Sequence, residues 1–134
     1  MTEIDVNLLV QRQRDFFETG STLSYCFRAK QLSKLKRAIS AYEFELEEAL
    51  IADLGKNKQE SYLTEIGFVL SDITHTLHKL KKWMKPKRVK SSLTVFSSKC
   101  FVAKQPYGVA LIIGPFNYPF QLLFAPLVAA IAAG

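Results

Sequence analysis

From Pro106 to Gly134 the chain carries no charged side chain. A run of that length has to be buried in protein or in lipid, so it constrains everything that precedes it. It opens with GVALIIGPFNYP, Gly108 to Pro119, in which the strand formers Val109, Leu111, Ile112 and Ile113 stop at Gly114-Pro115. Apolar residues then resume at Phe120 and continue to Gly134. The pattern predicts a parallel-type strand, a tight turn and a helix, the opening unit of an α/β fold. In such sheets the ligand crevice lies outside the carboxyl ends of the strands, where helix N-termini offer unpaired N–H groups to anionic or carbonyl oxygens. A membrane span is the competing reading, with Lys85 to Lys104 as its positive flank. Against it, Gly114-Pro115 and Asn117-Tyr118-Pro119 would put a turn and an unpaired amide at mid-bilayer depth. The helical part, about 15 residues, also suits a protein core better than a bilayer. No membrane partner is expected.

The rest of the chain fits a soluble protein with one core: 134 residues, 49% hydrophobic and 22% charged. Its +6 formal charge is unevenly placed. Met1 to Asp72 holds nine basic and twelve acidic residues, whereas Ile73 to Gly134 holds nine basic residues and no acidic one. Any mechanism needing an Asp or Glu general base near the strand-turn-helix unit must therefore draw it from the first half or from outside this chain. The two cysteines, Cys26 and Cys100, form no CxxC pair and have no histidine placed to complete a metal site. A disulfide framework and a zinc site are thereby set aside, and a reducing, cytoplasmic setting is expected. The start, MTEIDVNLL, has acidic residues and no long apolar core, which does not read as a signal peptide.

Hydrophobic periodicity organises the first two thirds. Val6 to Glu18 reads as a short amphipathic helix stopped by Thr19-Gly20-Ser21-Thr22. Leu32, Leu35, Ile39, Tyr42, Leu46, Leu50 and Leu54 recur at steps of three or four, which predicts one long helix over Leu23 to Leu54 that ends at Gly55. After the polar break Lys56-Asn57-Lys58-Gln59, the series Tyr62, Ile66, Val69, Ile73, Leu77, Leu80 and Met84 predicts a second long helix, stopped by Pro86. Facing stripes of this kind stabilise by roughly 1.5–3 kcal/mol per fully buried large side chain before entropy is counted. Lys85 to Ser92 reads as a solvated basic link. Leu93 to Phe96 and Cys100 to Lys104 read as an antiparallel hairpin around Ser97-Ser98-Lys99.

Four features are candidates for chemistry. Lys79, Lys81, Lys82, Lys85, Lys87, Arg88 and Lys90 surround Trp83, a mixture that can neutralise phosphates and stack a base. No nucleic-acid motif accompanies them, and a solvated helix end is the favoured reading. His75 and His78, three residues apart, lack further ligands and read as exposed polar positions. Cys26 and Cys100 would each need a base or helix N-terminus to lower the pKa and act as nucleophiles; with Cys100 in an expected strand and Cys26 one turn into a helix, both read as buried structural thiols. Asn117 sits at the mouth of the turn, where it can cap the following helix or act as a neutral amide donor.

The sequence QPYGVALIIGPFNYPFQLLFAPLVAAIAAG closely resembles the first βα unit of the nucleotide-binding domain of NAD(P)-dependent aldehyde dehydrogenases, particularly their class 3 branch. DLGKNKQESYLTEIGFVL and LKKWMKPKRV resemble the region that precedes it, so the likeness covers nearly the whole chain. The resemblance implies an α/β fold of which this chain would hold only part: an N-terminal helical region (1–92), a β-hairpin segment (93–105) and the start of a Rossmann-like nucleotide-binding domain (106–134). It implies oxidation of an aldehyde substrate to a carboxylic acid with NAD or NADP, through attack by a cysteine thiolate and hydride transfer. In that family an asparagine amide and a backbone N–H hold the tetrahedral oxyanion, and the asparagine matches Asn117. The cofactor-contacting strand end matches Ile113, Gly114, Pro115 and Phe116, where many members carry Trp in place of Phe116. Tyr62 and Tyr118 fall toward the substrate side. A homodimer is implied for the complete enzyme; the cytoplasmic setting and the expectation of no nucleic-acid partner and no metal rest on the residues weighed above.

The family's nucleophilic cysteine, its general-base glutamate and its adenosine-ribose ligands lie beyond the matched region, and neither Cys26 nor Cys100 occupies the nucleophile position. The chain is thus expected to be an N-terminal fragment, inactive toward aldehydes by itself. The apolar surface of Val109 to Ile131 would lack its packing partners and would tend to associate. The alternative from another class is a helical interaction module whose uncharged tail docks on a partner or a membrane.

Overall fold

Asp5 starts the first helix: its carboxylate accepts from the backbone N–H of Asn7 at 3.0 Å and of Leu8 at 3.2 Å, the side-chain cap that a helix start requires. The computed structural model describes residues 5–134, apart from the Leu93 side chain. The reading of MTEIDVNLL therefore falls partly outside the described residues. Helix α1 (Val6–Glu18) stops where Gly20 turns to φ +70°, a left-handed conformation that suits glycine. After a 3₁₀ turn, Ser24 Oγ accepts from the Phe27 N–H at 3.1 Å and opens α2 (Tyr25–Ala41). Then come α3 (Glu43–Leu54), α4 (Lys58–Ser61), a π-helical segment over Tyr62–Ile66, and α5 (Gly67–Trp83). A two-stranded antiparallel sheet joins β1 (Lys87–Val89) to β2 (Cys100–Val102), and α6 (Pro119–Ala133) closes the chain.

Helices α2, α5 and α6 pack against one another around a core of Leu32, Ile39, Ile66, Val69, Ile73, Leu80, Phe120 and Val128, which Leu50 of α3 completes. Most of the two stripes read from periodicity is therefore in place. The predicted single helix over Leu23 to Leu54 is instead two helices, divided at Tyr42, whose φ of −106° and ψ of 20° leave the helical region. The break turns α3 onto α4 and the π segment, and it leaves Tyr42 62% exposed although periodicity places it on the stripe. No Gly or Pro marks the site; tertiary packing overrides a continuous local pattern here.

The hairpin also differs. Its first strand is Lys87–Val89, inside the stretch read as a basic link, in register Lys87 to Val102 and Val89 to Cys100. Leu93–Val95 forms a 3₁₀ turn instead, in which Val95 N–H donates to the Ser92 carbonyl at 3.1 Å. Ser98 Oγ then donates to the Val95 carbonyl at 2.6 Å. Serine side chains that bond the nearby backbone favour such turns over ladders. Residues 103–118 carry no regular secondary structure, so the strand expected over Val109 to Ile113 is absent. A strand exists only through its neighbours' hydrogen bonds, and the small sheet does not reach this segment.

Candidate functional site

Glu65 is the carboxylate that the uncharged tail lacks. It lies in the π segment, where Gly67 N–H bonds back to the Tyr62 carbonyl and one extra residue enters the turn. Both Glu65 and its neighbour Ile66 are fully buried as a result. A Cβ at Gly67 would come within 2.8 Å of the Tyr62 ring and 2.9 Å of the Tyr62 carbonyl oxygen. Gly67→Ala is accordingly expected to destabilise by about 1–3 kcal/mol, as overpacking does; urea denaturation measures it, and a loss below a few tenths would show that the π turn relaxes freely.

Glu65 reaches the start of α6. Its Oε2 accepts from the backbone N–H of Phe120 at 3.0 Å and of Gln121 at 2.9 Å, and its Oε1 pairs with Lys56 Nζ at 2.5 Å. Lys56 is 8% exposed and Glu65 0%. Lys56 Nζ also donates to the Asn117 carbonyl at 3.1 Å and sits 3.9 Å from the Tyr118 ring centroid. The first free N–H groups of α6 thus meet a carboxylate, which the helix dipole favours, and the carboxylate meets a cation. They are not open to an external anion.

The far end of α6 is held in the opposite sense. Buried Arg28 donates from Nε to the Thr22 carbonyl at 2.9 Å and from Nη1 to the Ala132 carbonyl at 3.1 Å, in the helix's last turn. A cation there complements the dipole. Burial lowers the pKa of the guanidinium from its ordinary value by desolvation, yet arginine stays protonated throughout the workable range. Two charged groups from the first half therefore fix both ends of a helix that has none of its own.

The residues singled out from sequence are distributed as follows. Asn117 and Tyr118 lie beside Lys56, the former through its carbonyl and the latter through its ring. The Asn117 side chain is exposed, and the capping role open to it falls to Glu65. Ile113 and Phe116 are 83% and 92% exposed, Pro115 is exposed, and a Cβ at Gly114 would lie 3.4 Å from Leu123 Cβ of α6. Tyr62 instead packs over Gly67 and borders a cleft of about 580 Å³ with Lys36, Thr74, His75 and His78.

Both histidines are exposed, as is every member of the basic cluster. Among the described residues no group of three or more His, Cys, Asp or Glu could hold a metal, and no helix is long and apolar enough to cross a membrane. Cys26 is exposed, contrary to the buried thiol expected, and Cys100 is half-buried. Cys26 stands two residues before Arg28, almost half a helical turn from the face that Arg28 and Leu32 bury.

Lys56, Glu65 and Arg28 are the residues that sequence reasoning missed. Lys56 reads from sequence as part of a polar break. Glu65 does carry a signal: it stands three residues after Tyr62 and four before Val69, a carboxylate in line with an apolar stripe.

The sequence profile described as the aldehyde dehydrogenase family matches residues 1–134. The chain is 50% identical over 132 residues to 4,4'-diaponeurosporen-aldehyde dehydrogenase of Staphylococcus aureus, covering 96% of this chain and 29% of that protein. It is 40% identical over 129 residues to the dimeric NADP-preferring aldehyde dehydrogenase of Canis lupus familiaris, covering 96% and 28%. A solved structure described as the substrate-bound state of Staphylococcus aureus AldH superposes with a TM-score of 0.95 at 48% identity, over 98% of this chain and 29% of that one. The chain spans less than a third of the length of these relatives.

Proposed function

This chain belongs to the aldehyde dehydrogenase family, and on that premise we propose that it supplies one half of an active site that oxidises an aldehyde to a carboxylic acid. Asn117 is the oxyanion donor. When a thiolate from outside the chain attacks the carbonyl carbon, the π electrons move to oxygen, and the Asn117 amide N–H donates to the charge that develops there. A neutral amide suits this task, since a carboxylate would repel the oxyanion. The observation that carries the reading is an exposed Asn117 side chain on a backbone that Lys56 holds at 3.1 Å.

Bound NAD or NADP would supply the acceptor for the hydride. The exposed apolar faces of Ile113 and Phe116 suit a flat nicotinamide ring, with Gly114 and Pro115 carrying the chain between them close along α6. The α6 N–H groups do not suit the pyrophosphate, because Glu65 already occupies them. Tyr62 and Tyr118 are assigned to the substrate side, Tyr118 with its ring already committed to Lys56. Val109 to Ile113 becomes a strand of a Rossmann-like sheet when neighbouring strands pair with it, so that residues 106–134 open the nucleotide-binding domain. A cytoplasmic homodimer is part of the same reading, in keeping with the dimeric mammalian relative.

The test is a chimera. Residues 1–134 replace the matching segment of the Staphylococcus aureus relative, and NAD(P)-dependent aldehyde oxidation is followed beside the 134-residue chain alone. Turnover by the chimera and none by the isolated chain is expected. An inactive but folded chimera, or activity in the isolated chain, would overturn the reading.

A further inference from the structure

A buried ion pair rarely offsets its desolvation relative to apolar side chains of similar volume. Stability alone therefore does not account for Lys56 and Glu65, but the destination of their bonds does. Asn117 is held at its carbonyl and Tyr118 at its ring by Lys56, and Phe120 and Gln121 at their N–H groups by Glu65. The two side chains grip each other at 2.5 Å, so the four contacts form one unit anchored in the π segment.

We propose that Lys56, braced by Glu65, is a positioning residue that fixes the backbone from which the Asn117 amide projects. The proposal rests on the reading of Asn117 as the oxyanion donor. Such a donor works only within about 2.7–3.1 Å of the place the oxyanion will occupy, and a misplacement of about 1 Å can cost about 100-fold in rate. Residues 103–116 preceding Asn117 form no strand or helix of their own. The Lys56 bond to the Asn117 carbonyl is then the nearest rigid reference for the side chain. Lys56 itself touches no reacting atom and acts through Asn117.

Removing Lys56 alone would strand a buried carboxylate, so the informative variant is Lys56→Met/Glu65→Gln. The introduced glutamine keeps an oxygen to accept from Phe120 and Gln121 and no charge is left unpaired, while the Asn117 carbonyl loses its donor and the Tyr118 ring its cation. In the chimera, kcat per titrated active site is expected to fall about tenfold or more, with KM for aldehyde and cofactor within about twofold. The Phe120 and Gln121 amides should stay protected from hydrogen exchange. An unchanged kcat overturns the proposal. Loss of protection at Phe120 and Gln121 together with kcat also overturns it, by assigning the effect to the helix start.

A second readout does not depend on catalysis. In the 134-residue chain labelled with ¹⁵N-Asn, the double substitution should shift or broaden the side-chain amide signals of Asn117 and leave those of Asn7 in place. If the chimera with unaltered residues 1–134 is inactive, the enzyme reading fails and this spectrum decides the positioning role. An unmoved Asn117 signal then rejects it.

Discussion

Lys56→Met is expected to destabilise the folded chain by about 3–5 kcal/mol, the cost of leaving a buried carboxylate without its cation. The size follows from the surroundings. Glu65 is 0% exposed, and its remaining partners are the Phe120 and Gln121 N–H groups, which are dipoles without a full charge. Loss of the cation also frees the Asn117 carbonyl and the Tyr118 ring. The double variant Lys56→Met/Glu65→Gln should recover most of the loss, because it removes the charge and keeps the cap. Urea midpoints of the parent, the single and the double variants make the comparison. If the single variant stays within about 1 kcal/mol of the parent, water reaches Glu65 and the pair is not a buried one.

The architecture is legible from sequence where side-chain period and burial agree. Leu32, Ile39 and Leu50 in one stripe, and Ile66, Val69, Ile73 and Leu80 in the other, lie in the core as their spacing requires. Capping chemistry is equally readable: Gly20 and Gly55 adopt φ of +70° and +66° at the helix ends their positions suggest. The break at Tyr42 is not legible, because nothing local forbids a helix there and only the packing of α3 on α4 selects the turn. Strands are the least legible. Lys87–Val89 pairs with Cys100–Val102 although all three of its residues are exposed, so the period-two signal of a half-buried face is missing. Val109 to Ile113 carries the strand signal and has no partner strand among the described residues.

At the candidate site, the sequence points to the stretch and misses its support. Asn117 and its neighbours stand out because a turn between two apolar runs is unusual, whereas Lys56 and Glu65 lie 61 and 52 residues earlier. Their meeting depends on how the π segment and the α3–α4 break pack on the start of α6, which periodicity along one helix does not encode. The charge asymmetry bears only on where a general base could come from; that Glu65 of the first half caps the start of α6 is visible only in the fold.

Asn117→Ala should lower kcat of the chimera by about 10²–10³, equivalent to the roughly 2.7–4 kcal/mol that one oxyanion donor contributes. The substitution isolates the amide from the scaffold. Lys56 bonds to the Asn117 backbone carbonyl, which alanine retains, and the exposed side chain gives no packing to lose. Folding stability should therefore change by less than about 0.5 kcal/mol, as for an exposed position, while the rate falls. The loss should appear in kcat and leave KM nearly unchanged, since the donor acts on charge that develops only in the transition state. Asn117→Asp should not rescue activity, because its carboxylate repels the oxyanion. Steady-state kinetics with active-site titration, beside urea denaturation for stability, reads these effects. A loss below tenfold would move the oxyanion donor elsewhere, and the Lys56 and Glu65 contacts would then serve only to start α6.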